Sequence, residues 1–92
     1  MSVTYRNEKN KDWVELSGVA VLPMKKLLLM GVDVDEGMKI ANAVTVDGMF
    51  FNADNEPVDF REDFFGLTAQ QWDWWRAQIW KAAHEEQADP EA

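Results

Sequence analysis

The sequence predicts an α+β domain: a small antiparallel sheet of two hairpins, one or two short helices, and a long C-terminal helix packed across the sheet. Three observations predict it. Thr68 and Gln71 form a T-x-x-Q capping box ahead of a run with apolar residues at helical spacing. Strand-forming residues flank two turn-type dipeptides, Ser17-Gly18 and Asp47-Gly48. Two short segments, Met24–Met30 and Glu36–Ala43, carry helix formers.

Taken in order, residues 1–11 are polar, carry Arg6, Lys9 and Lys11 beside one acid, Glu8, and read as a frayed tail. Trp13–Leu16 and Val19–Leu22 flank Ser17-Gly18 as the arms of a first hairpin, with Val14, Leu16, Val19 and Val21 on its buried face. One long strand with a glycine bulge is the alternative. Pro23 suits the first position of a helix over Met24–Met30, and Gly31 stops it. Asp35 is placed to cap a helix over Glu36–Ala43, which Gly37 weakens. Asp47-Gly48 supplies the positive φ angles of a type I′ turn, so Val46 pairs with Met49 and Val44 with Phe51. Asn52–Pro57 is a polar turn, and Val58, Phe60, Phe64 and Phe65 follow as an irregular strand and a helical turn. The last helix runs from about Ala69 to Glu86, with Leu67 and Trp72 as a hydrophobic staple. Its buried stripe is Trp72, Trp75, Ile79, Ala82 and Ala83. The acidic Gln87–Ala92 reads as a second tail, which leaves one folded domain over 12–86.

The totals narrow the chemistry. The chain has 92 residues and no cysteine, so thiolate nucleophiles, disulfides, Cys-ligated zinc and Fe–S clusters are excluded. A small domain without such staples fits a reducing compartment, and no apolar stretch is long enough for a signal peptide or a membrane span. The expectation is a cytoplasmic protein. Seventeen acids against nine bases give a net charge of −8, a surface that repels nucleic acid and anionic lipid.

Few residues invite a chemical role. Asp33, Asp35 and Glu36 cluster, but helix capping explains them. Asn52, Asp54, Glu56 and Asp63 resemble a calcium loop only faintly, because Pro57 stands where such a loop needs glycine. His84 is the single histidine and falls on the polar side of the last helix. Lys25 and Lys26, beside a Leu-rich segment, read as solvated lysines. No P-loop, G-x-G-x-x-G or G-x-S-x-G is present, so the expectation is no enzyme, no cofactor and no metal.

Trp74 stands apart. The helical phase turns it nearly opposite to the buried stripe, with Gln78 and Lys81 as neighbours and Trp80 on the flank. Indoles left in water are frequent at protein interfaces. The leading expectation is therefore a non-enzymatic protein-interaction module, an adaptor, assembly factor or inhibitor. Its partner-binding residues are Trp74, Gln78, Lys81 and Trp80, and its partner is another protein or a second copy. The alternative is an acidic mimic that blocks a nucleic-acid-binding protein, with Asp33, Asp35, Glu36, Asp54, Glu56, Asp59, Glu62 and Asp63 as phosphate surrogates. Small acidic chains of this kind are common among accessory proteins of phages and mobile elements, although no motif here carries that assignment.

Overall fold

Strand-forming residues at the very start of the described chain build one edge of the sheet. The computed structural model describes residues 2–87, with side chains through His84. In order, the elements are β1 (Ser2–Arg6), β2 (Trp13–Ser17), a 3-10 turn (Val19–Val21), α1 (Met24–Leu29), α2 (Val34–Val44), β3 (Thr45–Phe51), β4 (Pro57–Val58), a second 3-10 turn (Phe64–Gly66) and α3 (Ala69–Gln87). The sheet has four strands in the order β1-β2-β3-β4, and every neighbouring pair is antiparallel. The α+β class is as the sequence predicts, but the strand pairing differs in three ways.

First, Ser2–Arg6 is a strand and no tail. It pairs with β2 from Ser2↔Ser17 to Arg6↔Trp13. Only Tyr5 of β1 is buried, and Val3 and Tyr5 alternate with Ser2, Thr4 and Arg6, a short strand pattern that the polar composition of residues 1–11 obscures. Two asparagines shape the link to β2: Asn7 Oδ1 accepts from Lys9 N at 2.9 Å and Asn10 Oδ1 from Asp12 N at 2.7 Å. The C-terminal acidic tail falls largely outside the described residues; Gln87 itself belongs to α3.

Second, Ser17-Gly18 does not close a hairpin. Gly18 adopts φ 75°, and the chain enters the 3-10 turn at Val19, which leads it off the sheet toward α3. Val14, Leu16 and Val19 are buried as expected, whereas Val21 is 83% exposed.

Third, β3 runs straight through Asp47-Gly48. Glu15 pairs with Asp47 and Val14 with Gly48, and an irregularity between Glu15 and Leu16 brings Leu16 opposite Thr45. Gly48 answers to crowding here. A Cβ on it would stand 2.9 Å from Trp13 O and 3.3 Å from Val14 Cα. The actual reversal is at Asn52–Glu56, between β3 and β4. Asn52 Oδ1 accepts from Asp54 N and Glu56 N, both at 2.9 Å, and Asn55 takes φ 63°.

The helices follow the sequence more closely. Pro23 precedes α1 as its cap residue. α2 begins earlier than expected because Asp33, and not Asp35, is the N-cap: its Oδ1 accepts from Asp35 N at 3.0 Å and Glu36 N at 3.2 Å. Gly37 lets α2 approach its neighbours, since a Cβ there would lie 3.0 Å from the Trp72 ring and 3.2 Å from Met30 O. α3 starts with the reciprocal capping box: Gln71 N donates to Thr68 Oγ1 at 3.1 Å, and Thr68 N to Gln71 Oε1 at 2.9 Å.

The core lies between the sheet and α3. Val14, Leu16, Val19, Phe50, Trp75 and Ile79 are fully buried. Trp75 is its centre, with ring centroids of Phe60, Phe50 and Trp72 at 5.2, 5.4 and 5.6 Å. Its indole N–H donates to Thr45 Oγ1 at 3.0 Å, and that hydroxyl donates to Ala41 O at 2.5 Å. The one polar atom of the largest core side chain is thereby satisfied.

Candidate interaction surface

α3 buries a broader arc than its apolar stripe. Gln71, Trp75, Ile79, Ala82 and Ala83 are buried, and Trp72, Trp74, Arg76 and Gln78 are half-buried. At 100° per residue these positions span roughly 200° of the helix. The expectation of an outward Trp74 is therefore corrected. Phe50 of β3 reaches past the stripe and meets the Trp74 ring edge to face, with centroids 6.1 Å apart. Gln78 Nε2 donates to Trp74 O at 3.2 Å, and Lys81 Nζ lies 5.6 Å from the ring centroid of Tyr5 on β1. Trp74, Gln78 and Lys81 thus share the flank that faces the sheet edge.

Trp80 is on the other flank, about 120° away around the helix. The four expected partner-binding residues do not form one surface. Trp80 is 41% exposed and borders a groove of about 360 Å³ between α3 and α1, with Leu27, Leu28, Met30, Arg76 and Ala77 in its walls. The His84 ring packs beside Trp80 at 4.9 Å, with Nδ1 2.8 Å from Trp80 O. On α1, Leu28 is 60% exposed and Met24 50% exposed. Val32, just past α1, is 81% exposed. Sequence reading missed Leu28 and Met24. The signal was present: α1 is Met-Lys-Lys-Leu-Leu-Leu, which holds more apolar residues than one buried face of a six-residue helix can take. Leu27 is the one buried residue of α1.

One wall residue of this groove is imperfectly satisfied. Arg76 pairs with Asp73 and lies over the Trp72 ring at 5.6 Å, but its Nε is buried without a hydrogen-bond partner. Asp73 borders the groove too, and Asp33 and Asp35 follow closely after Gly31, another wall residue.

The acidic residues divide into groups. Asp33 caps α2, and Glu36 lies 3.6 Å from Lys26 and 4.0 Å from Lys39. Asp54 and Glu56 are exposed in the turn after β3. Asp59, Glu62 and Asp63 are exposed in the stretch that follows β4, and Arg61 among them donates from Nη2 to Thr45 O at 2.5 Å. Asn52 is a turn former, as described above, and among the described residues no group of three or more His, Asp or Glu side chains is placed to hold a metal ion. Among the same residues no helix is long and apolar enough to cross a membrane. No protein-family model matches the chain, and neither a curated protein nor a solved structure matches it significantly.

Proposed function

We propose that the protein is a non-enzymatic interaction module whose docking surface is the groove between α1 and α3, centred on Leu28 and Trp80. The observation that carries this reading is the joint exposure of those two large apolar side chains along one groove. Water contact with them brings no folding benefit, whereas covering them stabilises a complex. Indoles in particular concentrate binding energy at the centre of interfaces.

Charge selects the occupant. A second copy would bring another −8 to the same place, so self-association is opposed by like charge. The partner that fits is an amphipathic segment of another protein, apolar toward Leu28 and Trp80 and flanked by Lys or Arg. Asp33 and Asp35, which follow closely after Gly31, would meet the basic flanks. A second reading, the acidic mimic, draws on Asp54, Glu56, Asp59, Glu62 and Asp63, five exposed acids in one stretch. Carboxylates are ordinarily exposed, so their exposure favours a partner less than that of Leu28 and Trp80 does.

The test is capture of binding proteins from the native host, repeated with two variants. Leu28→Ser/Trp80→Ser should lose the bound partner with little change in melting temperature. Asp54→Asn/Glu56→Gln/Glu62→Gln should retain it. The reverse pattern would establish the mimic and sink the groove.

A further inference from the structure

We propose that the cleft beside Trp74 is a separate binding site for a small anion carrying a planar ring. Three segments meet there: the β1–β2 link, the β3–β4 turn and the start of α3. The cleft measures about 770 Å³ and shares only Asp73 with the groove under Trp80. That volume is in the usual range for small-ligand sites, roughly 300–1,000 Å³. This inference is independent of the docking surface proposed above.

The walls set the chemistry of the ligand. Trp74, packed perpendicular to Phe50 with centroids 6.1 Å apart, lines the cleft together with half-buried Phe51. Such a wall takes a planar ring by stacking. Lys9 and Lys11, both exposed, supply positive charge. The acids of the same walls are already engaged. Asp12 is only 1% exposed and accepts from Phe51 N at 2.9 Å and Gln71 Nε2 at 3.2 Å, while Asp73 pairs with Arg76. Asn7 and Asn10 commit their Oδ1 atoms to the β1–β2 link, which leaves their amide NH2 groups to donate. Asp54 and Glu56 belong to the neighbouring turn but do not line the cleft. Donors and cations therefore prevail over acceptors, the pattern that selects a carboxylate or a phosphate.

The cleft is also fixed before any ligand arrives. Gln71 Nε2 donates to Phe51 O at 2.7 Å as well as to Asp12, so α3, β3 and the β1–β2 link are tied into one buried network under the cleft floor. A site held this way loses little freedom on binding.

An aryl carboxylate and a nucleoside monophosphate both combine a ring with an anionic group, and titration separates them. Full-length protein labelled with ¹⁵N would be titrated with indole-3-acetate, with adenosine monophosphate, and with uncharged adenosine. Saturable shifts from at least one anion are expected at the Trp74 indole N–H and at the amides of Asn7–Lys11, with the Trp80 indole unmoved. The anion that saturates identifies the class. Lys9→Gln/Lys11→Gln should weaken that binding roughly tenfold, the loss of one good charged contact, at an unchanged melting temperature. Three results would overturn the proposal: no saturable shift at Trp74 from either anion, equal binding of adenosine, or undiminished binding by the double lysine variant.

Discussion

Trp74 and Trp80 sit on the same helix and differ in what lies beyond them. Phe50 packs perpendicular to Trp74 from the core, while Trp80 has the exposed His84 ring and the edge of α1 beside it. Truncating them should have different effects. Trp74→Ala removes a ring from the margin of the core and should cost about 2 kcal/mol, less than the 3–5 kcal/mol typical of a fully buried aromatic. Trp80→Ala should stay within about 0.5 kcal/mol, as most surface substitutions do. Chemical denaturation of both variants measures the difference. Equal losses would mean that the two flanks of α3 are equally packed. Helical phase predicts the reverse, with Trp74 outward and Trp80 beside the buried stripe, because it locates a side chain around an axis but not the reach of the partner across from it. Phe50, on a strand whose register was itself misread, is what turns Trp74 inward.

At the scale of single elements, the start of α3 and the β3–β4 turn were legible and the strand pairing was not. The T-x-x-Q box, the Pro23 helix start and the Asn52–Glu56 turn each depend on contacts within a few residues, and all are present. Of the three strand pairings only β2–β3 joins segments far apart in the chain, since short links connect β1 to β2 and β3 to β4. β2 lies between a strand read as a tail and a strand read as a hairpin. Leu28 was missed for a related reason: α1 carries four apolar residues beside Lys25 and Lys26, but only the packing shows which of them α3 leaves open. The caps themselves are testable. Asp33→Ala should cost about 1 kcal/mol, and Asp35→Ala clearly less, because only Asp33 accepts the first-turn N–H groups of α2. For a domain of this size 1 kcal/mol is roughly 4–8 °C of melting temperature, well within reach of calorimetry. A larger shift for Asp35→Ala would move the cap to the place first read from the sequence.

For the whole molecule, the net charge of −8 has a consequence separate from binding. Exposed acids on the α2 cap, the β3–β4 turn and the stretch after β4 repel one another across a small surface. Salt shortens the range of that repulsion to about 8 Å at physiological ionic strength. The folded state should therefore gain stability as sodium chloride rises from low millimolar to about 0.15 M. A rise of a few degrees in melting temperature is the expected outcome, roughly the equivalent of 0.5–1 kcal/mol. A melting temperature that falls over the same range would mean that ion pairs outweigh the repulsion.

The passage of β3 through Asp47-Gly48 bears on how quickly the chain finds its structure. The dipeptide favours a local reversal, which closes within microseconds, whereas pairing with β2 must first close a loop of roughly 30 residues. Glu15 and Asp47, like charges directly opposite each other, add a penalty to the final pairing. A transient hairpin at this point must open before β3 can lie along β2, which is frustration in the landscape sense: the local preference and the native answer disagree. Asp47→Thr removes both the turn preference and the repulsion and puts a strand former in place. Its refolding in stopped-flow experiments should be faster than that of the parent chain, with the unfolding rate little altered. An unchanged refolding rate would mean that the hairpin never competes and that β2 captures β3 first.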